Sequence, residues 1–82
     1  MMLKLLYFAA LVDKLGLASE DFPLQDGVAD IRGLVAKLKQ RGGAWEEVFS
    51  NAALRITVNK QFSELNTQIK AGDEIAFISA WL

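Results

Sequence analysis

Apolar and polar positions change period several times along the chain, and each change marks an element. Leu3, Leu5 and Tyr7 alternate with Lys4, Leu6 and Phe8, the period-2 pattern of a strand. Both sets are largely apolar, as in a central strand, while Lys4 keeps the second face from full burial. Ala9 to Leu15 reads as a short helix, and Gly16 suits its C-terminal stop because glycine accepts the left-handed conformation there. Leu17 to Leu24 reads as a second strand. Pro23 has no N–H to give, so it belongs at an edge or at the strand end.

The period then shifts. Val28, Ile31, Leu34, Val35 and Leu38 form one helical stripe, with Asp30, Lys37, Lys39 and Arg41 off it. Asp26 or Gly27 can cap the start. Asp30 suits the positive end of the helix dipole, and Lys39 and Arg41 the other. Gly42-Gly43 ends this helix, and Ala44 to Ser50 predicts a further short helical turn. Leu54, Ile56 and Val58 alternate with Arg55 and Thr57, a half-buried strand. Asn59-Lys60-Gln61 forms a turn, and Phe62 begins a short returning strand. Lys70-Ala71-Gly72-Asp73 is a second turn, and Glu74 to Leu82 is the last strand, with Ile75, Phe77, Ser79 and Trp81 on one face. One long amphipathic helix can cover one face of such a sheet. The expected fold is therefore α+β, a single domain over residues 1–82 with the helix packed across a mixed sheet.

Composition sharpens this picture. The 82 residues are 52% apolar, enough for the dense core that a chain this short needs. Nine basic residues against ten acidic ones give a net charge of -1, which offers no basic patch for nucleic acid. The chain contains no Cys and no His. Disulfides, thiolate metal sites and the commonest general base are thereby excluded. The apolar run Leu5 to Val12 has the length of a signal-peptide core. Lys4 lies inside that run rather than in a separate basic segment, and cleavage would remove the most strand-like stretch. A cytoplasmic location with no membrane association is expected, since no stretch approaches the ~18 apolar residues of a membrane span.

Candidate chemistry is sparse. Glu20-Asp21, Glu46-Glu47 and Asp73-Glu74 are adjacent acidic pairs. Neighbours on a strand point to opposite faces, so such pairs read as solvated surface charge rather than a converging acid–base site. Ser19, Ser50, Ser63 and Ser79 have no His to activate them. Gly42-Gly43 lacks the Lys-Ser/Thr that follows in a phosphate loop. Lys37 and Arg41, four apart, read as a solvated helix face. What remains is a surface. If the helix covers Leu3, Leu5 and Tyr7, the opposite face carries Leu6, Phe8 and Ile78, and Phe62 can join them. An uncovered apolar sheet face is a candidate protein-binding patch.

Three motifs carry a resemblance. They are Tyr7-Phe8-Ala9-Ala10-Leu11 followed by Gly16, then Val58-Asn59, then Gly72-Asp73-Glu74-Ile75-Ala76-Phe77. Their order and spacing resemble the small subunits of molybdopterin synthase, across nearly the whole chain. The resemblance implies a ubiquitin-like β-grasp fold and a sulfur carrier, a non-catalytic subunit with no cofactor of its own. It implies two partners: the large subunit of molybdopterin synthase, and an adenylating activating enzyme where a Gly-Gly tail exists. In the family the terminal glycine becomes a thiocarboxylate, and the tail enters the large subunit to pass sulfur to a pterin precursor. Glycines suit a tail that threads a narrow channel, because they lack Cβ. The positions matching the family's partner-binding patch are Phe8, Phe62 and Ile78. Where the family continues Pro-Pro-x-x-Gly-Gly, this sequence reads Ser79-Ala80-Trp81-Leu82. Trp81 and Leu82 hold tail positions, and the expectation is a chain without the Gly-Gly tail. A β-grasp interaction module without carrier activity is the alternative reading. A carrier of the thiamine pathway fits less well, since those are typically shorter and lack a helical stretch such as Ala44 to Ser50.

Overall fold

The computed structural model describes residues 1–24, 28–51 and 54–79. Its elements follow the order β1 (Met2–Ala9), α1 (Ala10–Leu15), β2 (Ser19–Pro23), α2 (Ile31–Lys39), α3 (Ala44–Phe49), β3 (Arg55–Val58), β4 (Gln61–Phe62) and β5 (Glu74–Ser79). The strands form one five-stranded sheet in the order β2-β1-β5-β3-β4. β1 and β5 pair in parallel at its centre, and the other pairings are antiparallel. The mixed sheet and the α+β class are as the sequence predicts. β2 is an edge strand ending at Pro23, where a missing donor costs no ladder bond.

One face of the sheet meets the helices. Leu3, Leu5, Tyr7, Ile75 and Phe77 are buried there with Ile31, Leu34 and Leu38 of α2 and with Val48 and Phe49 of α3. The aromatic rings lock this contact. Tyr7 stacks on Phe77 at 5.5 Å, and Phe49 meets Phe77 edge-on at 5.0 Å. Aromatic pairs at such spacings add about 0.5–1.5 kcal/mol each beyond area burial.

The covering helix is shorter than its stripe suggests. α2 has nine residues, and six-residue helices lie on either side of it in the chain. Its N-cap is Asp30, whose carboxylate accepts from the Gly33 N–H at 2.9 Å. The expected caps, Asp26 and Gly27, lie outside the described residues. Val28 is buried but precedes the helix. The next orphan donors of α2 are met by a distant loop: Ile31 N–H gives to Thr67 O at 3.0 Å and Arg32 N–H to Leu65 O at 2.8 Å. These bonds satisfy groups a helix start leaves open, and they strap the segment before β5 onto α2.

Two sequence motifs prove to be one structural unit. Asn59 and Lys60 form the two-residue turn between β3 and β4, both at positive φ (51° and 73°), the geometry of a type I′ hairpin. Asn59 also donates to the Asp73 carboxylate at 3.0 Å, while its own side-chain oxygen accepts from the Glu74 N–H at 3.0 Å. The other Asp73 oxygen accepts from the Lys70 N–H at 2.9 Å. Val58-Asn59 and Gly72-Asp73-Glu74 thus fasten the hairpin to the start of β5. Asp73 is buried, which corrects its reading as solvated surface charge.

Candidate docking face

Strand register settles which side chains share the face turned away from the helices. Residues paired across neighbouring strands point the same way. One rank across the sheet is Ser19–Leu6–Ala76–Thr57–Phe62. The rank nearer the end of β5 is Phe8–Ile78–Arg55, and the rank at its start is Asp21–Lys4–Glu74. An apolar band therefore lies between a charged rank and a single arginine. Phe8 is 45% exposed and Phe62 78%. Ile78 and Leu6 are half-buried, while the small side chains of Ala76 and Thr57 are shielded by their neighbours.

The three residues singled out from sequence, Phe8, Phe62 and Ile78, are thus brought onto one face by β1, β4 and β5. Trp81 and Leu82 lie outside the described residues. Leu6, Ala76 and Arg55 complete the face. Leu6 was legible from alternation. Arg55 was legible as the polar side of β3, but its place beside Ile78 depends on the β3–β5 register.

On the helix side, one polar cluster ties three elements together. Tyr7 donates its hydroxyl to Glu20 Oε2 at 2.8 Å. Arg41 grips the same carboxylate with two N–H groups at 2.8 and 2.9 Å, and its guanidinium carbon lies 4.3 Å from the Trp45 ring centroid. The Arg41 hydrogen bond holds the Glu20 carboxyl below the usual carboxylate range, burial opposing it and the Tyr7 bond assisting. Burial above all, and then the Glu20 bond, pushes the Tyr7 hydroxyl well above its ordinary range. Arg41 therefore belongs to this clamp and not to a solvated helix face: α2 ends at Lys39. Glu20 and Asp21 do point to opposite faces, as their adjacency on a strand requires, and only Asp21 stands in solvent. Among the described residues, no group of His, Cys, Asp and Glu could hold a metal ion. No described helix is long and apolar enough to cross a membrane. A groove of about 390 Å³ borders the sheet edge between Val35, Phe49, Leu54, Ile56, Phe62 and Leu65. Ser50, Asn51, Arg55, Ser63 and Glu64 also line it, so its walls are mixed in character.

Comparison with known proteins places this geometry. A model of the ThiS family matches residues 5–81. The molybdopterin synthase sulfur carrier subunit of Haemophilus influenzae is 30% identical over 76 residues, which span 93% of this chain and 91% of that protein. Among solved structures, SAMP1 from Haloferax volcanii superposes with a TM-score of 0.79 at 23% identity, covering 95% of this chain and 93% of that one. A chain from the complex of subunits 1 and 2 of molybdopterin-converting factor of Helicobacter pylori gives a TM-score of 0.66 at 23% identity, covering 95% and 92%. These two structures speak to the fold, and they agree with the β-grasp reading.

Proposed function

The chain belongs to the ThiS family of sulfur carriers, and on that premise we propose that it serves as the small subunit of molybdopterin synthase, docking on the large subunit through its open sheet face. The observation that carries this reading is the apolar band itself, with Phe8 and Phe62 left 45% and 78% exposed. Large apolar groups held in solvent by a rigid sheet suit a partner surface. Two likenesses support it. The Haemophilus influenzae relative is named a molybdopterin synthase sulfur carrier subunit, and the Helicobacter pylori structure holds subunits 1 and 2 together.

The sheet also gives the docking a direction. β5 lies between β1 and β3, runs parallel to β1, and places Ile78, one residue before Ser79, in the rank of Phe8 and Arg55. A partner seated on the band therefore lies beside the C-terminal end of β5.

The test is titration calorimetry with the large subunit from the same cell. Phe62→Asp is the cleaner variant, since its exposed ring contributes little to the fold. Burying a phenyl ring is worth about 1.5–3 kcal/mol, so the variant weakens binding by roughly 10-fold or more with unchanged circular dichroism. Ile78→Asp acts in the same direction. Affinity equal to wild type in both would contradict the docking reading.

A further inference from the structure

Among the described residues, the large apolar side chains left exposed are Met1, Met2, Phe8, Phe62 and Leu65. The methionines belong to the N-terminus, and Phe8 and Phe62 to the docking face. Leu65, 44% exposed, belongs to neither. Its backbone is held firmly. The Leu65 carbonyl accepts from the Arg32 N–H at 2.8 Å, Thr67 N–H gives to Glu64 O at 3.0 Å, and Glu64 N–H gives to Thr67 Oγ1 at 2.9 Å. A groove of about 390 Å³ runs beside it along α2, lined by Arg32, Val35, Ala36, Lys39, Phe49 and Leu65. Two cations thus flank four apolar residues, and no anion lines the groove. Helix α2 has no acidic residue from Ile31 to Lys39, and neither Arg32 nor Lys39 is in an ion pair among the described residues. We propose that this groove docks a second protein partner through an acidic amphipathic segment, whose apolar side chains cover Leu65 and whose carboxylates reach Arg32 and Lys39.

Charge complementarity chooses the occupant. Arg32 and Lys39 are seven residues apart on one helix, roughly 10 Å along its axis at 1.5 Å per residue. Both stand at the groove walls while its floor is apolar, so a segment that fills the floor meets a cation toward either end. The acids nearest in sequence are committed elsewhere: Asp30 caps the Gly33 N–H, and Glu64 lines the neighbouring groove rather than this one. An apolar anchor beside unpaired cations steers acidic partners and rejects basic ones. The fixed backbone of Leu65 lowers the ordering cost of such a contact. Nucleic acid fits less well, because phosphate binding draws on clustered cations, and a flat bilayer does not reach the floor of a groove. The site lies on the helical side of the sheet, away from Phe8 and Ile78, so it goes beyond the docking of the large subunit.

The probes are two fluorescein-labelled amphipathic peptides of one pattern, with Leu on one face and either Glu or Lys on its flanks, and vesicles of phosphatidylglycerol. Fluorescence anisotropy follows their binding to the full chain, with thermal unfolding of each variant alongside. The Leu-Glu peptide should bind wild type at least roughly tenfold more tightly than the Leu-Lys peptide, and the gap should shrink as salt rises. The double variant Arg32→Glu with Lys39→Glu should invert that order. Leu65→Asp should weaken the Leu-Glu peptide by roughly tenfold or more without lowering the unfolding temperature, since the side chain is exposed. Amide shifts should move at Arg32, Val35, Lys39 and Leu65 and stay still at Phe8 and Ile78. Failure of the Leu-Glu peptide to bind, equal affinities for the two peptides, or shifts confined to the open face would overturn the inference. Binding to the vesicles without binding to the peptide would also overturn it, in favour of a lipid surface.

Discussion

Removal of the Glu20 carboxylate should cost far more than its place on an edge strand suggests. Three elements meet at that group: Tyr7 from β1, Arg41 from beyond α2, and Trp45 from α3 beneath the guanidinium. The Glu20 side chain is 18% exposed and that of Arg41 34%. Hydrogen bonds to charged groups contribute about 1.5–3 kcal/mol, and the partial exposure of Arg41 points to the lower end. Glu20→Ala also leaves the Tyr7 hydroxyl without its acceptor, for a total of about 2–3 kcal/mol. Glu20→Gln keeps an acceptor for Tyr7 and should cost about 1 kcal/mol. The assay is urea unfolding of a double-mutant cycle over Glu20 and Arg41, read from midpoints at constant slope. A second cycle over Lys14 and Glu47 is the control, because that pair is also 2.8 Å long but its side chains are 35% and 63% exposed. We expect a coupling of about 1–2 kcal/mol for the clamp and under about 0.5 for the control. Equal couplings would refute the reasoning that burial and shared partners, rather than distance, set the strength.

Two further outcomes follow from named groups. Tyr7 is the single tyrosine of the chain, and burial with the Glu20 bond raises its pKa from an ordinary 10.0. The stability this contributes is complete below about pH 10 and is lost as pH rises above it; tyrosinate absorbance should therefore appear only together with unfolding, and a free titration near pH 10 would refute the buried hydroxyl. Lys60 holds φ at 73° in the hairpin turn, so Lys60→Gly should raise stability by about 0.5–1 kcal/mol in thermal melts, and a loss would speak against the type I′ geometry.

The sheet was legible because its code is local. Alternation in β1 and β5 separates core from open face before any pairing is known, which is why Phe8 and Ile78 fall together from sequence alone. Phe62 needed more, since two residues of β4 carry no period, and its place depends on the turn at Asn59-Lys60. The helix stripe identified α2 but misplaced its start. Val28 continues the apolar spacing and is buried, yet the helix begins only at Ile31, after its Asp30 cap. Charge was the hardest to read. Arg41 follows a helix and looks like its solvated end, Asp73 sits in a turn and looks exposed, and both find partners far away in the chain. Long-range pairs of this kind leave no period in the sequence.

Amide chemical shifts of the labelled chain, followed during titration with the large subunit, test the docking face most directly. The account predicts that perturbations concentrate on Leu6, Phe8, Arg55, Phe62, Ala76 and Ile78, with α2 and α3 nearly unmoved. Perturbations confined to the helical side, with the open face unchanged, would contradict it.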